Sequence, residues 1–462
     1  MTDLHYLSVA ETRALLEDRS ISAVELVEHM LARIDSTEPQ IHAYAHVCAD
    51  RARADAAAAD CALRAGNPGP PLRGIPVAVK DMLMTEGIPT EAGSRVLAGN
   101  VPSRDAAAVT ALRQAGAVLL GKTVTHEFAY AQNVPATRNA WDTRCYPGSS
   151  SAGSGVAVAA GSTLVALGTD TGGSVRAPAA VNGVVGLKPS FDVVSRDGVI
   201  PMSPTLDAVG PIARTVEDCE VLLRATAPGL LDAGRPTRPP ANRPFRIGID
   251  RRSHFTVGLD PEVVAAVDRT LAELGRDNVE LIDVHTPELE LVADVGVLII
   301  MVDTSYWHRR FLREKPECYD PATRAMLQAG EIIPATWYAT VQRIRRHVLD
   351  SVTATFRAHA LDAMALPTLP VTTFPLDEYA DPLTSDSQEG WARVMHHTLL
   401  ANLTGRPAVT VPCGLSSRNL PVGLELLGRR TADLDLLRLA EKVERVAGFA
   451  GTHPPETGLL TR

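Results

Sequence analysis

Val27, Met30, Leu31 and Ile34 recur at helical spacing, on a segment that Ser22 opens with Glu25 three residues later. Ser8 and Glu11 carry the same capping signature one helix earlier. An alanine-rich stretch from Asp50 to about Arg64 predicts a third helix, and prolines from Pro68 to Pro71 then break the chain. Past that break the period changes. Ile75 to Val79 is a continuous apolar run of strand length, ending in Lys80. A helix is expected over Asp105–Gly116, a strand over Ala117–Leu120, a helix over Ser151–Ala160 and a strand over Thr163–Leu167. This alternation predicts an α/β fold: a large mixed central sheet with helices on both sides.

The pattern pauses between Pro228 and Pro244, where five prolines accompany Arg235, Arg238 and Arg243, as in a surface linker. Phe245–Asp250 resumes as a strand and Asp260–Leu274 as a helix. Residues 285–395 then gather Tyr306, Trp307, Phe311, Tyr319, Trp337, Tyr338 and Trp391, either as a packed helical unit or as the shapers of a pocket. With 462 residues and 45% hydrophobic positions the chain can bury a sizeable core, and one domain over 1–462 is expected. Aromatics make up only 4%, so that core rests on Ala, Val and Leu.

A net charge of −9, with no basic stretch interleaved with aromatics, argues against a nucleic-acid substrate. Arg343, Arg345 and Arg346 read as a solvated helix face, and His396 and His397 as a partly exposed helix pair. The six cysteines (48, 61, 145, 219, 318, 413) show no Cys-x-x-Cys spacing, so reduced thiols are expected. No cluster reads as a metal site, and no cofactor is expected. Met1-Thr-Asp-Leu-His lacks a basic-then-apolar signal and no apolar run is long enough to span a membrane, so a cytoplasmic protein is expected.

The chemistry concentrates in three stretches. In Gly168-Thr-Asp-Thr-Gly-Gly-Ser-Val-Arg-Ala-Pro178, Ser174 follows two glycines that let the backbone fold tightly. A hydroxyl among converging backbone donors is what acyl transfer requires. Pro147-Gly-Ser-Ser-Ser-Ala-Gly-Ser-Gly155 leads into a helix; no Gly-Lys-Ser/Thr closes it as a phosphate loop. It reads better as a hydroxyl relay than as a flexible linker. Lys80 is either a solvated strand-end charge or a desolvated amine with a lowered pKa, able to act as a general base.

Together these stretches resemble the amidase signature family over most of the chain, from the N-terminal helices to Leu424-Glu425. The resemblance implies catalytic Lys80, nucleophilic Ser174 and a bridging serine held by a non-proline cis peptide bond. Gly148-Ser149-Ser150-Ser151-Ala152-Gly153 stands where the family has G-G-S-S-G-G, and alignment favours Ser150, 24 residues before Ser174, over Ser149 or Ser151. Ser149 and Ala152 replace glycines of the family pattern.

It further implies an oxyanion hole from the backbone N–H groups of Thr171, Gly172, Gly173 and Ser174, with Asp170 and Arg176 as loop supports. Ser151 and Ser154 either surround Lys80 and Ser150 or cap the following helix. Phe128, Tyr130, Gln132 and Asn133 fall where the family's pocket-lining loop lies. His126 precedes Glu127-Phe-Ala, which resembles a structural segment, so it is not assigned to a Ser–His–acid triad.

The expected function is hydrolysis of small carboxamides through a serine acyl-enzyme. Carbamates (urethanes), aryl amides or esters could be cleaved by the same triad. A different class is the glutaminase subunit of a tRNA-dependent amidotransferase. Val209-Gly-Pro-Ile-Ala-Arg-Thr-Val-Glu-Asp218 resembles that subunit, while its tyrosine-rich glutamine-binding segment is not recognisable around 325–350. A non-catalytic relative would be expected to lose Lys80, Ser150 or Ser174, and all three are present. The fold implied is compatible with a homodimer.

Overall fold

The computed structural model describes residues 3–65, 69–130, 135–232, 243–255, 258–378 and 388–459. Eleven strands enter a single sheet: β1 Tyr44–Val47, β2 Pro76–Lys80, β3 Val118–Thr123, β4 Val165–Asp170, β5 Val185–Lys188, β6 Ala208–Ala213, β7 Phe245–Ile249, β8 Val279–Asp283, β9 Ala363–Pro367, β10 Ala408–Leu415 and β11 Pro421–Gly428. Their order is β1-β3-β2-β4-β6-β5-β10-β11-β9-β7-β8. β2 runs parallel to β3 and β4, the middle of the sheet is antiparallel, and β9-β7-β8 is parallel again. The sheet is mixed and covered by helices on both sides, as the alternation predicts.

Local chemistry accounts for the elements around the site. Ser8 with Glu11, and Ser22 with Glu25, form complete capping boxes that start the helices Val9–Glu17 and Ala23–Ile41. Val27, Met30, Leu31 and Ile34 are buried as expected. Every residue of β2, β3, β4 and β6 is buried, and such two-sided burial suits their continuous apolar runs. β4 starts and ends two to three residues later than its hydrophobic pattern suggests, because its pairing with β6 extends through Gly168, Thr169 and Asp170. That extension brings a polar strand end beside Lys80.

Two surface expectations are corrected. Arg345 turns inward, donating to the Leu403 carbonyl at 2.9 Å and the Thr205 carbonyl at 3.0 Å, while Arg343 and Arg346 remain exposed. His397 is buried, and the His396 side chain lies outside the described residues. Of the proline-rich linker, residues 233–242 lie outside the described residues, and Gly229–Asp232 forms a helical turn.

The aromatic region is largely helical (Val292–Glu314, Pro321–Glu331, Ala335–Ala358). Trp307, Phe311 and Tyr319 pack inward around His308, whereas Tyr306 and Trp337 are exposed. The Trp391 side chain lies outside the described residues. No described helix is long and apolar enough to cross a membrane.

Candidate active site

β2 and β4 lie side by side and parallel, so their C-terminal ends deliver Lys80 and Thr169–Asp170 to the same place. Lys80 has no exposed surface. Its Nζ lies 2.8 Å from Ser150 Oγ and 2.8 Å from Thr169 Oγ1, and no described carboxylate is within ion-pair distance. The contrast with Lys122 is instructive: equally buried, it has Asp81 Oδ1 at 3.1 Å. A buried ammonium without a counter-ion is costly, so Lys80 sheds its proton readily. Burial pulls its pKa down to about 7, against the opposing charges of Asp170 and Asp207.

The three serines separate cleanly. Ser149–Ser150 is joined by a cis peptide bond. Only Ser150 reaches Lys80, which selects one of the registers that the sequence leaves open. Ser151 neither surrounds Lys80 nor caps the helix Ala152–Ala159. Its hydroxyl exchanges hydrogen bonds with the Thr169 carbonyl (3.1 Å) and N–H (3.3 Å), and its own N–H donates to the Ser174 carbonyl at 3.1 Å. Ser154 Oγ lies 2.7 Å from Thr123 Oγ1 and 3.3 Å from the Leu167 carbonyl. Both serines therefore stitch the relay loop to the sheet.

Ser174 follows β4 and precedes the helix Arg176–Asn182. It is partly exposed, and its hydroxyl has no hydrogen-bond partner among the described residues. Asp170 organises the loop before it, accepting from Gly173 N–H at 2.9 Å and Val175 N–H at 3.1 Å. The Gly173 N–H thus already has a carboxylate partner, unlike the other three N–H groups of the expected oxyanion hole. The N–H groups of Thr171, Gly172 and Ser174 carry no hydrogen bond among the described residues.

Arg176 clamps Asp170 through Nε (3.0 Å) and Nη2 (2.9 Å), then reaches Glu425 Oε1 and Asn402 Oδ1, each at 2.8 Å. All of these groups are buried. Burial would raise the Asp170 carboxyl, but Arg176 holds it well below the usual carboxylate range. Burial pushes Glu425 up to about 7, with Arg176 opposing. Thr171 Oγ1 donates to Asp207 at 2.6 Å, and burial raises that carboxyl to about 6.

The remaining candidates fare differently. The Phe128 ring is fully buried, with His308 at 4.3 Å, Tyr319 at 5.9 Å and Trp307 at 6.0 Å between centroids. It serves the packing of the 292–314 helix rather than an open surface. Tyr130 is buried too, and its hydroxyl has no partner among the described residues. Gln132 and Asn133 lie outside the described residues. His126 is fully buried, and burial lowers its pKa to about 3 with help from the Lys80 charge. Neither ring nitrogen has a partner among the described residues, so it joins no triad. No group of three or more described His, Cys, Asp or Glu residues could hold a metal.

Sequence reasoning overlooked Thr169, Asp207, Thr398 and Asn402, and used Glu425 only as a landmark. For Glu425 a signal existed: a lone carboxylate inside the apolar strand Pro421–Gly428 demands a buried partner. The others are called in by partners up to 232 residues away, which local pattern does not encode.

The Amidase family model matches residues 25–437. A glutamyl-tRNA(Gln) amidotransferase subunit from Roseiflexus sp. (strain RS-1) is 36% identical, covering 97% of this chain and 98% of its own. Among solved structures, an amidase is similar with a TM-score of 0.85 and 32% identity, over 95% of this chain and 99% of that one. The corresponding glutamyl-tRNA(Gln) amidotransferase subunit from Thermotoga maritima gives 0.77 and 28%, over 100% and 98%.

Proposed function

This chain belongs to the amidase family and is a hydrolase of carbon–nitrogen bonds, and from that premise we propose that it cleaves small carboxamides through an acyl-enzyme on Ser174. The observation that carries the reading is Lys80: a fully buried amine with only hydroxyl partners among the described residues, 2.8 Å from Ser150 and with a pKa of about 7.

In the mechanism, neutral Lys80 draws the Ser150 proton while Ser150 takes the proton of Ser174. The alkoxide attacks the carbonyl carbon, and Thr171, Gly172 and Ser174 N–H groups receive the oxyanion. One such donor contributes on the order of 3 kcal/mol to the transition state. The relay then returns the proton to the leaving nitrogen as the C–N bond breaks. Water, deprotonated by the same route, releases the acid and restores Ser174. Because Ser174 Oγ has no partner among the described residues, the last link of the relay is expected to close when substrate arrives. Carbamates, aryl amides and esters fit the same steps with a different leaving group. The chain is read as one domain, since strands from both halves meet in one sheet.

A second reading has its own support. Several curated relatives at 36–37% identity are glutamyl-tRNA(Gln) amidotransferase subunits, so a glutaminase component feeding ammonia to partner chains is the alternative. The experiment offers the isolated chain glutamine, primary amides, anilides, aryl carbamates and esters, beside fluorophosphonate labelling. Turnover of small amides by the chain alone, with the label on Ser174, supports the first reading. Glutaminase activity appearing only with amidotransferase partner subunits replaces it with the second. A chain that turns over substrate while Ser174 stays unlabelled overturns both.

A further inference from the structure

The loop bearing the nucleophile is moulded from one side by a single helix. Met395, Thr398, Leu399 and Asn402 recur at i, i+3, i+4 and i+7 on Gln388–Thr404, and so share one face. Thr398 Oγ1 donates to the Gly172 carbonyl at 2.5 Å. One turn on, Asn402 Nδ2 donates to the Asp170 carbonyl at 3.0 Å and to Asp170 Oδ1 at 3.0 Å. Met395 and Leu399 close over the glycine between them: a Cβ on Gly172 would lie 2.8 Å from Met395 Cε and 3.3 Å from Leu399 Cδ2. Gly173, at a φ of 116°, is held so closely that a Cβ would collide with Thr398.

These contacts fix the direction of peptide groups. In a planar trans peptide the carbonyl and the N–H of one unit point to opposite sides. Asn402 turns the Asp170 carbonyl toward the helix, so the Thr171 N–H faces the other way. Thr398 turns the Gly172 carbonyl toward the helix, which aims the Gly173 N–H at the Asp170 carboxylate. Ala177 N–H takes the Gly173 carbonyl at 2.7 Å, orienting the Ser174 N–H. The Thr171–Gly172 unit is flanked by two clamped neighbours and has little freedom left.

We propose that Thr398, whose hydroxyl bonds the Gly172 carbonyl and not Ser174, is a positioning residue that pre-orients the oxyanion hole through that carbonyl. The inference rests on Ser174 being the nucleophile. Without the Thr398 hydroxyl the Gly172–Gly173 peptide is held from one side only, by the Gly173 N–H on Asp170, and its neighbours lose part of their common aim. The loss should fall on the transition state, because a ground-state carbonyl depends less on aligned donors.

The test compares Thr398→Ala and Thr398→Ser with the full-length wild type on its best substrate, alongside a boronic acid as mimic of the tetrahedral adduct. Thr398→Ala should lower kcat by roughly tenfold or more, and weaken boronate affinity in parallel, while KM moves by less than about twofold. Thr398→Ser, which keeps the hydroxyl, should retain most of both. Thermal unfolding separates a positioning effect from loss of fold, and Thr398→Ser carries the test should the alanine variant not fold. If Thr398→Ala keeps wild-type kcat and boronate affinity, or Thr398→Ser loses them as fully as alanine does, the inference is wrong. Fluorophosphonate labelling of wild-type Ser174 isolates the cause: absence of label there removes the nucleophile assignment itself, whereas a labelled Ser174 with an indifferent Thr398 removes only this inference.

Discussion

Replacing Lys80 by alanine addresses the source of the proposed proton relay. The amine ends β2, which lies between β3 and β4; among the described residues the Ser150 and Thr169 hydroxyls are its only hydrogen-bond partners, and burial sets its pKa at about 7. An ordinary lysine titrates near 10.5, so the fold disfavours the charged form by about 5 kcal/mol. The neutral amine is the active species, and its population rises with pH: roughly one tenth at pH 6, half at pH 7 and nine tenths at pH 8. Wild-type kcat/KM should therefore climb through an acid limb centred near pH 7.

Lys80→Ala removes the base and should cut kcat/KM by about 10²–10⁴. The residual activity should also lose the limb. Glu425 at about 7 and Asp207 at about 6 are among the other buried groups that titrate in this range, so Glu425→Gln and Asp207→Asn serve as controls that keep the limb. The assay is initial rate from pH 5.5 to 9, with unfolding checked across the range. An unaltered acid limb in Lys80→Ala, or its disappearance in Glu425→Gln, would refute the assignment.

Further substitutions separate the other roles. Ser150→Ala should abolish acylation to within background, whereas Ser151→Ala should acylate and instead lose about 1 kcal/mol of stability by chemical denaturation, having lost its bond to Thr169. Arg176→Met leaves Asp170 and Glu425 as buried charges without their partner, so a destabilisation of about 3–5 kcal/mol is expected in the same measurement. His126→Leu removes a neutral, unpaired ring, and kcat/KM should stay within about threefold of wild type; a loss of two orders of magnitude would restore histidine to the mechanism.

The reach of the sequence differs from element to element. Lys80 and Ser174 stand out because an apolar strand ending in lysine and a Gly-Gly-Ser turn are local statements, while their catalytic roles are what the family resemblance implies. Both capping boxes were legible for the same reason. For the bridging serine the alignment favours Ser150 over Ser149 and Ser151, and Ser150 is the one that the structure places against Lys80. The hydrogen bond from the Gly173 N–H to Asp170 is not legible in the sequence, because it depends on the turn's closure and not on residue type.

Arg345 and His397 look solvated in sequence. Their inward turns depend on acceptors at Leu403 and Thr205 and on burial by distant segments. Thr398 and Asn402 sit on an ordinary helix more than 220 residues from the loop they hold. Long-range side-chain-to-carbonyl bonds of this kind leave no periodic trace, so the fold was far more legible than the support of its site.

The most direct test of the account is the identity of the acylated residue. Rapid quenching during turnover of a slow amide or ester, followed by peptide mapping by mass spectrometry, should place the acyl group on Ser174 in the wild type. The adduct should be strongly diminished in Lys80→Ala at pH 7. An acyl group found on another side chain, or one that forms on Ser174 at full rate without the amine at position 80, would contradict it.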